Sequence, residues 1–238
     1  MTNPGTSSSD PAGLPVSIVA VGPGDSAFLT IKGKQTLEQA DIVTGFTTVL
    51  NVVSQWTEHA EVCPMTYRDQ EDVLEYAVAE AKKGRKLAVC CWGDLNVSAM
   101  ELLERVSKRA SSVDLVPGIS SVQIAMARTG IPLEDTLFIT LHRREGSGSA
   151  LEELVHYLKE GRRHIVLLPR PFDLMPAAIA SGLLDEGIAP ERALTVYQRL
   201  TLDGEKTWKG TLAECAAITE EFSDLTIMVF GRPDSHPV

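Results

Sequence analysis

The chain has 238 residues, with 22 Lys and Arg against 32 Asp and Glu; the formal net charge of -10 works against binding the phosphate backbone of a nucleic acid. Its length and its 44 % hydrophobic content suit one large domain or two compact ones, and no apolar run approaches the ~18 residues that cross a bilayer. The four cysteines, Cys63, Cys90, Cys91 and Cys215, lack the CxxC spacing and nearby paired histidines of a metal centre or disulfide framework. These features predict a cytoplasmic protein with no metal, no membrane and no nucleic-acid partner.

Residues 1–15 are rich in Ser, Thr, Pro and Gly without a basic or apolar leader, which predicts a disordered tail rather than a signal peptide. Five short apolar or β-branched runs follow, at Val16–Val21, Asp41–Thr44, Glu61–Pro64, Leu87–Trp92 and Val113–Val116, and read as strands. Gly22-Pro23-Gly24-Asp25 makes a tight turn after the first, leading into a helix-like segment from Phe28. Apolar residues at Val73, Leu74, Ala77, Val78 and Ala81 predict a helix over Gln70–Lys83, closed by Gly84. Met100, Leu102, Leu103 and Val106 predict a second over Ser98–Ala110. Strands joined by such crossovers imply a mainly parallel sheet covered on both faces, with Cys90 and Cys91 as core thiols.

Beyond Pro117-Gly118 the pattern changes. A helix over Ser120–Thr129 is stopped by Gly130, a strand spans Thr136–Leu141, and Arg143–Ser149 reads as a loop. Then come a helix over Leu151–Lys159, a strand at Ile165–Leu168, a helix over Leu174–Asp185 and a strand at Ala193–Leu200. An added antiparallel strand at Glu205–Lys209, a short helix over Leu212–Ile218 and a strand at Leu225–Phe230 complete the order. The fold class is α/β in two domains, an N-terminal one over 16–119 with a mainly parallel sheet and a C-terminal one over 120–232 with a mixed sheet. Residues 233–238 form a tail.

Gly22–Asp25, Gly93-Asp94, Pro117–Ser121 and Pro169–Asp173 each follow an apolar strand, and a parallel sheet brings such segments to its carboxyl edge, where α/β proteins bind small molecules. From the residues alone, Asp94 reads equally as a helix cap or as an acceptor for a ribose or a cationic ligand. Ser120 and Ser121 read as caps or as ligand contacts, capping being the simpler account. Arg162, Arg163 and His164 follow a helix C-terminus, where the helix dipole explains them.

Together, the spacing of Val19–Thr30, Gly93-Asp94 and Val116-Pro117-Gly118-Ile119-Ser120-Ser121 resembles the tetrapyrrole methylases, which move methyl groups from S-adenosylmethionine to porphyrinoid rings; the resemblance runs from Val16 to Phe230. Pro117–Gln123, Thr140-Leu141-His142-Arg143, Pro176–Ala180, Gly210-Thr211-Leu212 and Phe222-Ser223-Asp224-Leu225 resemble the subgroup that methylates C5 of cobalt-precorrin-7. The resemblance implies an enzyme of cobalamin biosynthesis, usually a homodimer, with S-adenosylmethionine folded in a cleft between two α/β domains. It implies cofactor contacts at Pro23, Gly93, Asp94, Val97, Ser120, Ser121, Pro171 and Leu200. Leu95–Ser98, Arg143, Arg170 and Gln198 depart from the family pattern. Because the chain ends soon after Phe230, a separate protein is expected for the C15-methylating decarboxylation. Alternatives are a sister methylase acting on another ring position, a diphthamide precursor or ribosomal RNA, and a non-catalytic corrinoid- or nucleotide-binding relative.

A sulfonium methyl is already activated, and holding it in line with an electron-rich ring carbon supplies roughly 7 to 11 kcal/mol in favourable cases. No strong general base is then required, and no residue is singled out as catalytic. The carboxylates of such a ring call for local positive charge on this acidic chain, and the candidates are His142, Arg143, Arg144 and Arg170, with Arg199 at another strand end.

Overall fold

The computed structural model describes residues 14–97, 99–142, 147–171 and 173–233. The expected N-terminal tail up to residue 13, the end of the expected C-terminal tail from 234, and the first part of the Arg143–Ser149 loop lie outside them. The chain divides into two units, Met1–Ile119 and Ser120–Val238.

The first unit is built on five parallel strands, β1 (Val16–Ala20), β2 (Ile42–Phe46), β3 (Glu61–Met65), β4 (Leu87–Cys91) and β5 (Val113–Val116), in the order β3-β2-β4-β1-β5. Helices α1 (Ile31–Glu38), α2 (Thr47–Val53), α3 (Gln70–Lys82) and α4 (Met100–Ser107) connect them. β1 and β4 read as continuous apolar runs because both faces are covered. Ile18 and Val89 pack with Leu74 and Ala77 of α3 on one face, while Val19 and Ala88 pack with Leu37 of α1 and Val49 of α2 on the other. Cys90 and Cys91 fall on opposite faces and are both buried, which pushes their thiols up, that of Cys91 to about 12. The helix after the glycine turn starts later than Phe28. A short 3-10 turn occupies Ser26–Phe28, capped by the Asp25 carboxylate on Ala27 N–H, and Thr30 then caps α1 by accepting the Gly33 N–H at 3.0 Å.

The second unit carries β6 (Thr136–Thr140), β7 (His164–Leu168), β8 (Ala193–Gln198), β9 (Lys206–Thr211) and β10 (Thr226–Phe230) in the order β6-β7-β10-β8-β9. Only β6 and β7 pair in parallel; the other neighbours are antiparallel, including the added strand β9. Helices α5 (Ser121–Thr129), α6 (Ser147–Glu160), α7 (Pro176–Asp185) and α8 (Leu212–Ala216) complete it, and Ile139, Leu154, Ile165, Ile179, Leu183, Val196, Met228 and Phe230 form its core. Gly130 at φ 70 ends α5.

Most element boundaries move by a residue or a few from the sequence reading, and three of the shifts bear on the second unit's edge. β8 stops at Gln198 because Arg199 and Thr201 turn into the left-handed region, at φ 52 and 65. α7 starts at Pro176, whose ring suits a first helical position, while Leu174 pairs with Arg170 instead. α6 starts at Ser147, inside the expected loop. His164 is also not a helix-end cation: it opens β7, is buried, and its Nδ1 accepts the Arg232 N–H at 3.1 Å.

Candidate functional site

At the carboxyl edge of the first sheet, three strand ends meet through glycine backbones. Gly22 and Gly93, at φ 91 and 65, exchange hydrogen bonds, Gly93 N–H to Gly22 C=O at 2.8 Å and Gly22 N–H to Gly93 C=O at 3.2 Å. This joins the turns after β1 and β4. A Cβ on Gly118, just past β5, would lie 2.5 Å from Gly93 C=O and 2.8 Å from Ala20 C=O, so only glycine fits there. Pro23 and Gly24 are buried beside this junction.

Asp94 sits on it. Its Oδ1 accepts from Asn96 N–H at 2.9 Å and from Asn96 Nδ2 at 2.8 Å, and its Oδ2 accepts from Gly118 N–H at 3.2 Å. The residue does not cap α4, whose N-cap is Ala99. A carboxylate offers about four acceptor positions, so these bonds leave one for a ligand hydroxyl. Val97 N–H donates to Asp94 C=O at 3.2 Å, closing a turn. Leu95, one of the residues that depart from the family pattern, is buried in the core on the α3 side; Ser98 lies outside the described residues. Side-chain-free backbone at the edge, with one carboxylate acceptor beside it, fits a nucleoside-bearing cofactor such as S-adenosylmethionine.

In the second unit, Ser120 forms a full capping box: its Oγ accepts the Gln123 N–H at 3.2 Å, and its own N–H donates to Gln123 Oε1 at 2.8 Å. The capping reading therefore holds for Ser120, which keeps its hydroxyl proton to donate, while Ser121 is the first helical residue and half-buried. The parallel pairing of Thr140 with Leu168 brings His142 and Arg170 to one edge of this sheet. Desolvation lowers the His142 pKa, opposed by a hydrogen bond with the Pro169 backbone. Arg170 exchanges two backbone hydrogen bonds with Leu174, each 3.2 Å, and its Nε donates to Asp173 Oδ1 at 2.7 Å. Pro171 follows it, half-buried. Leu200 is buried between the two left-handed residues, and Arg199 Nε donates to Asp203 C=O at 2.9 Å. Arg143 and Arg144 lie outside the described residues.

Two features of these edges were not singled out from sequence. Asn96 supplies two of the Asp94 bonds, and only its place two positions after an aspartate hinted at this. Phe46 at the end of β2 packs on Tyr67 with ring centroids 4.7 Å apart, leaving Tyr67 largely exposed near the same edge.

Residues 15–216 match the model of the tetrapyrrole (corrin/porphyrin) methylases. A probable cobalt-precorrin-7 C(5)-methyltransferase of Methanocaldococcus jannaschii is 29% identical over 216 residues, which cover 90% of this chain and 97% of the relative. A siroheme synthase of Neisseria meningitidis serogroup C is 32% identical over 232 residues, covering 91% of this chain but 47% of the relative, so the chain spans about half of that protein's length. The crystal structure of the methyltransferase CobJ has the same fold, with a TM-score of 0.75 at 22% identity over 94% of this chain and 96% of that one.

Proposed function

This chain belongs to the tetrapyrrole (corrin/porphyrin) methylases, S-adenosylmethionine-dependent methyltransferases, and from that premise we propose that it methylates C5 of cobalt-precorrin-7 in cobalamin biosynthesis. The observation that carries this reading is the likeness to the Methanocaldococcus jannaschii relative, which extends over 97% of that protein.

Bound S-adenosylmethionine supplies an electrophilic methyl on sulfonium, which a ring carbon attacks. The task of the protein is then orientation. In this reading, Pro23, Gly93, Asp94 and Val97 are the cofactor contacts of the first unit. The glycine backbones admit close approach, and the remaining acceptor position of Asp94 takes a ribose hydroxyl. Ser120, Ser121, Pro171 and Leu200 are the proposed contacts of the second unit, Ser120 through its hydroxyl proton. His142, Arg143, Arg144 and Arg170 bind the carboxylates of the ring, arginine because its planar fork matches both oxygens. The family likeness further supports a homodimer working beside a separate C15-methylating decarboxylase.

Calorimetry with S-adenosylmethionine and S-adenosylhomocysteine tests the cofactor site, and absence of binding to either refutes it. Incubation with cobalt-precorrin-7, followed by mass analysis, tests the substrate: a gain of one methyl is expected. The 32% identity to a siroheme synthase favours, as the second reading, methylation of a siroheme precursor, and product from that ring in place of cobalt-precorrin-7 moves the assignment there. Arg143→Ala and Arg144→Ala are expected to weaken substrate binding while leaving S-adenosylhomocysteine binding intact.

A further inference from the structure

We infer that Glu205 is a positioning residue that holds Leu200 in its cofactor-contacting place by clamping the strained turn Arg199–Thr201; this rests on the proposed role of Leu200. Among the described residues, only Arg199 and Thr201 adopt positive φ without being glycine, at 52 and 65, and they flank Leu200 directly. A β-branched residue such as threonine is an outlier in that region, so the conformation persists only where its surroundings impose it.

The restraints come from two sides. On one, Arg199 N–H donates to Leu225 C=O at 2.8 Å, tying the turn to the start of β10. On the other, Thr201 N–H donates to Glu205 Oε2 at 2.7 Å, and the second carboxylate oxygen of Glu205 pairs with Arg128 on α5. Backbone bonds from Leu202 N–H to Arg199 C=O and from Glu205 N–H to Leu202 C=O, 2.9 and 3.0 Å, bring the carboxylate back over the turn. One side chain thus anchors the strained backbone to the helix that Ser120 caps. A turn held this way presents Leu200 pre-organised, so the cost of ordering it is met in folding rather than at binding.

The test is titration of the full-length protein with S-adenosylhomocysteine, alongside thermal unfolding. Glu205→Ala is expected to bind at least about 10-fold more weakly, the scale of a lost hydrogen bond to a charged group. Glu205→Gln is expected to restore most of the affinity, since its amide oxygen still accepts the Thr201 N–H; a purely structural loss of charge would not be rescued this way. Should Glu205→Ala fail to fold, Thr201→Gly is added to relieve the strain, and the double variant is expected to fold and still bind weakly. Wild-type affinity in folded Glu205→Ala, or in the double variant, overturns the clamp. Failure of the unaltered protein to bind S-adenosylhomocysteine overturns instead the cofactor reading on which it rests.

Discussion

The Oδ2 atom of Asp94 accepts the backbone N–H of Gly118 at 3.2 Å, joining the turn after β4 to the chain just past β5. An acidic side chain at a strand end, suited to a ligand, is therefore also part of the scaffold that shapes the edge. Asp94→Asn tests the two roles together, each by its own readout. An amide offers one oxygen where the carboxylate offers two, so Asn96 and Gly118 can no longer both be satisfied. The expected loss is about 1–3 kcal/mol in urea unfolding, together with weaker S-adenosylhomocysteine binding. An unchanged unfolding midpoint would show that the bond to Gly118 carries no stability.

The same junction sets a limit on volume. A Cβ at Gly118 meets two backbone carbonyl oxygens, at 2.5 and 2.8 Å, neither of which can swing away as a side chain would. Gly118→Ala is expected to destabilise by about 1–3 kcal/mol, by overpacking. Gly182, inside α7, meets nothing within 4 Å, and Gly182→Ala is expected to stabilise by about 0.5–1 kcal/mol, because alanine loses less backbone freedom on folding. Thermal or urea unfolding of the two variants checks both signs.

His164 makes stability depend on pH. Its Nδ1 acts as an acceptor for Arg232 N–H, and burial, with Arg232 and Arg192 adding repulsion against the attraction of Asp135, lowers its pKa below 6.5. The folded state therefore binds this proton less readily than the unfolded chain. The contribution of His164 is complete above pH ~6.5 and is lost as the pH falls from there through the folded value. His164→Asn, which keeps an acceptor and cannot titrate, is expected to flatten this part of the curve of unfolding free energy against pH. A variant with the wild-type slope would assign the dependence to other groups.

What the sequence revealed and what it concealed follow from the range of the contacts. β1 and β4 were legible because strands covered on both faces read as apolar runs, and the cap of α5 because Ser120 stands directly before the helix; the reciprocal bond from Gln123 came only with the structure. The end of β8 was overrun because Leu200 is apolar and buried, and hydrophobicity reports burial but not the left-handed backbone on either side. The hydrogen-bond partner of His164 is Arg232, 68 positions away, and the main bond of Asp94 outside its own turn spans 24. No local window contains either pair. The glycine junction lies between these cases: the turn at Gly22–Asp25 was visible, but its bonding to Gly93 and the crowding of Gly118 required the strand order β4-β1-β5.

Arg170 carries the remaining prediction. Its Nε donates to Asp173 Oδ1 at 2.7 Å, and this partner holds the Asp173 carboxyl below its ordinary range. A ring carboxylate that binds Arg170 must compete with Asp173, which occupies part of the guanidinium fork. Asp173→Asn removes the competing charge, and binding of an octacarboxylate porphyrin is expected to tighten by about 2- to 5-fold at low salt, the scale of one exposed ion pair. Arg170→Gln is expected to weaken it, and both effects should shrink as salt screens the charges. Neither substitution should alter S-adenosylhomocysteine binding beyond a small change. If Asp173→Asn weakened porphyrin binding instead, the pair would act as a unit that shapes the Pro169–Leu174 turn, and Arg170 would be a structural residue rather than a substrate contact.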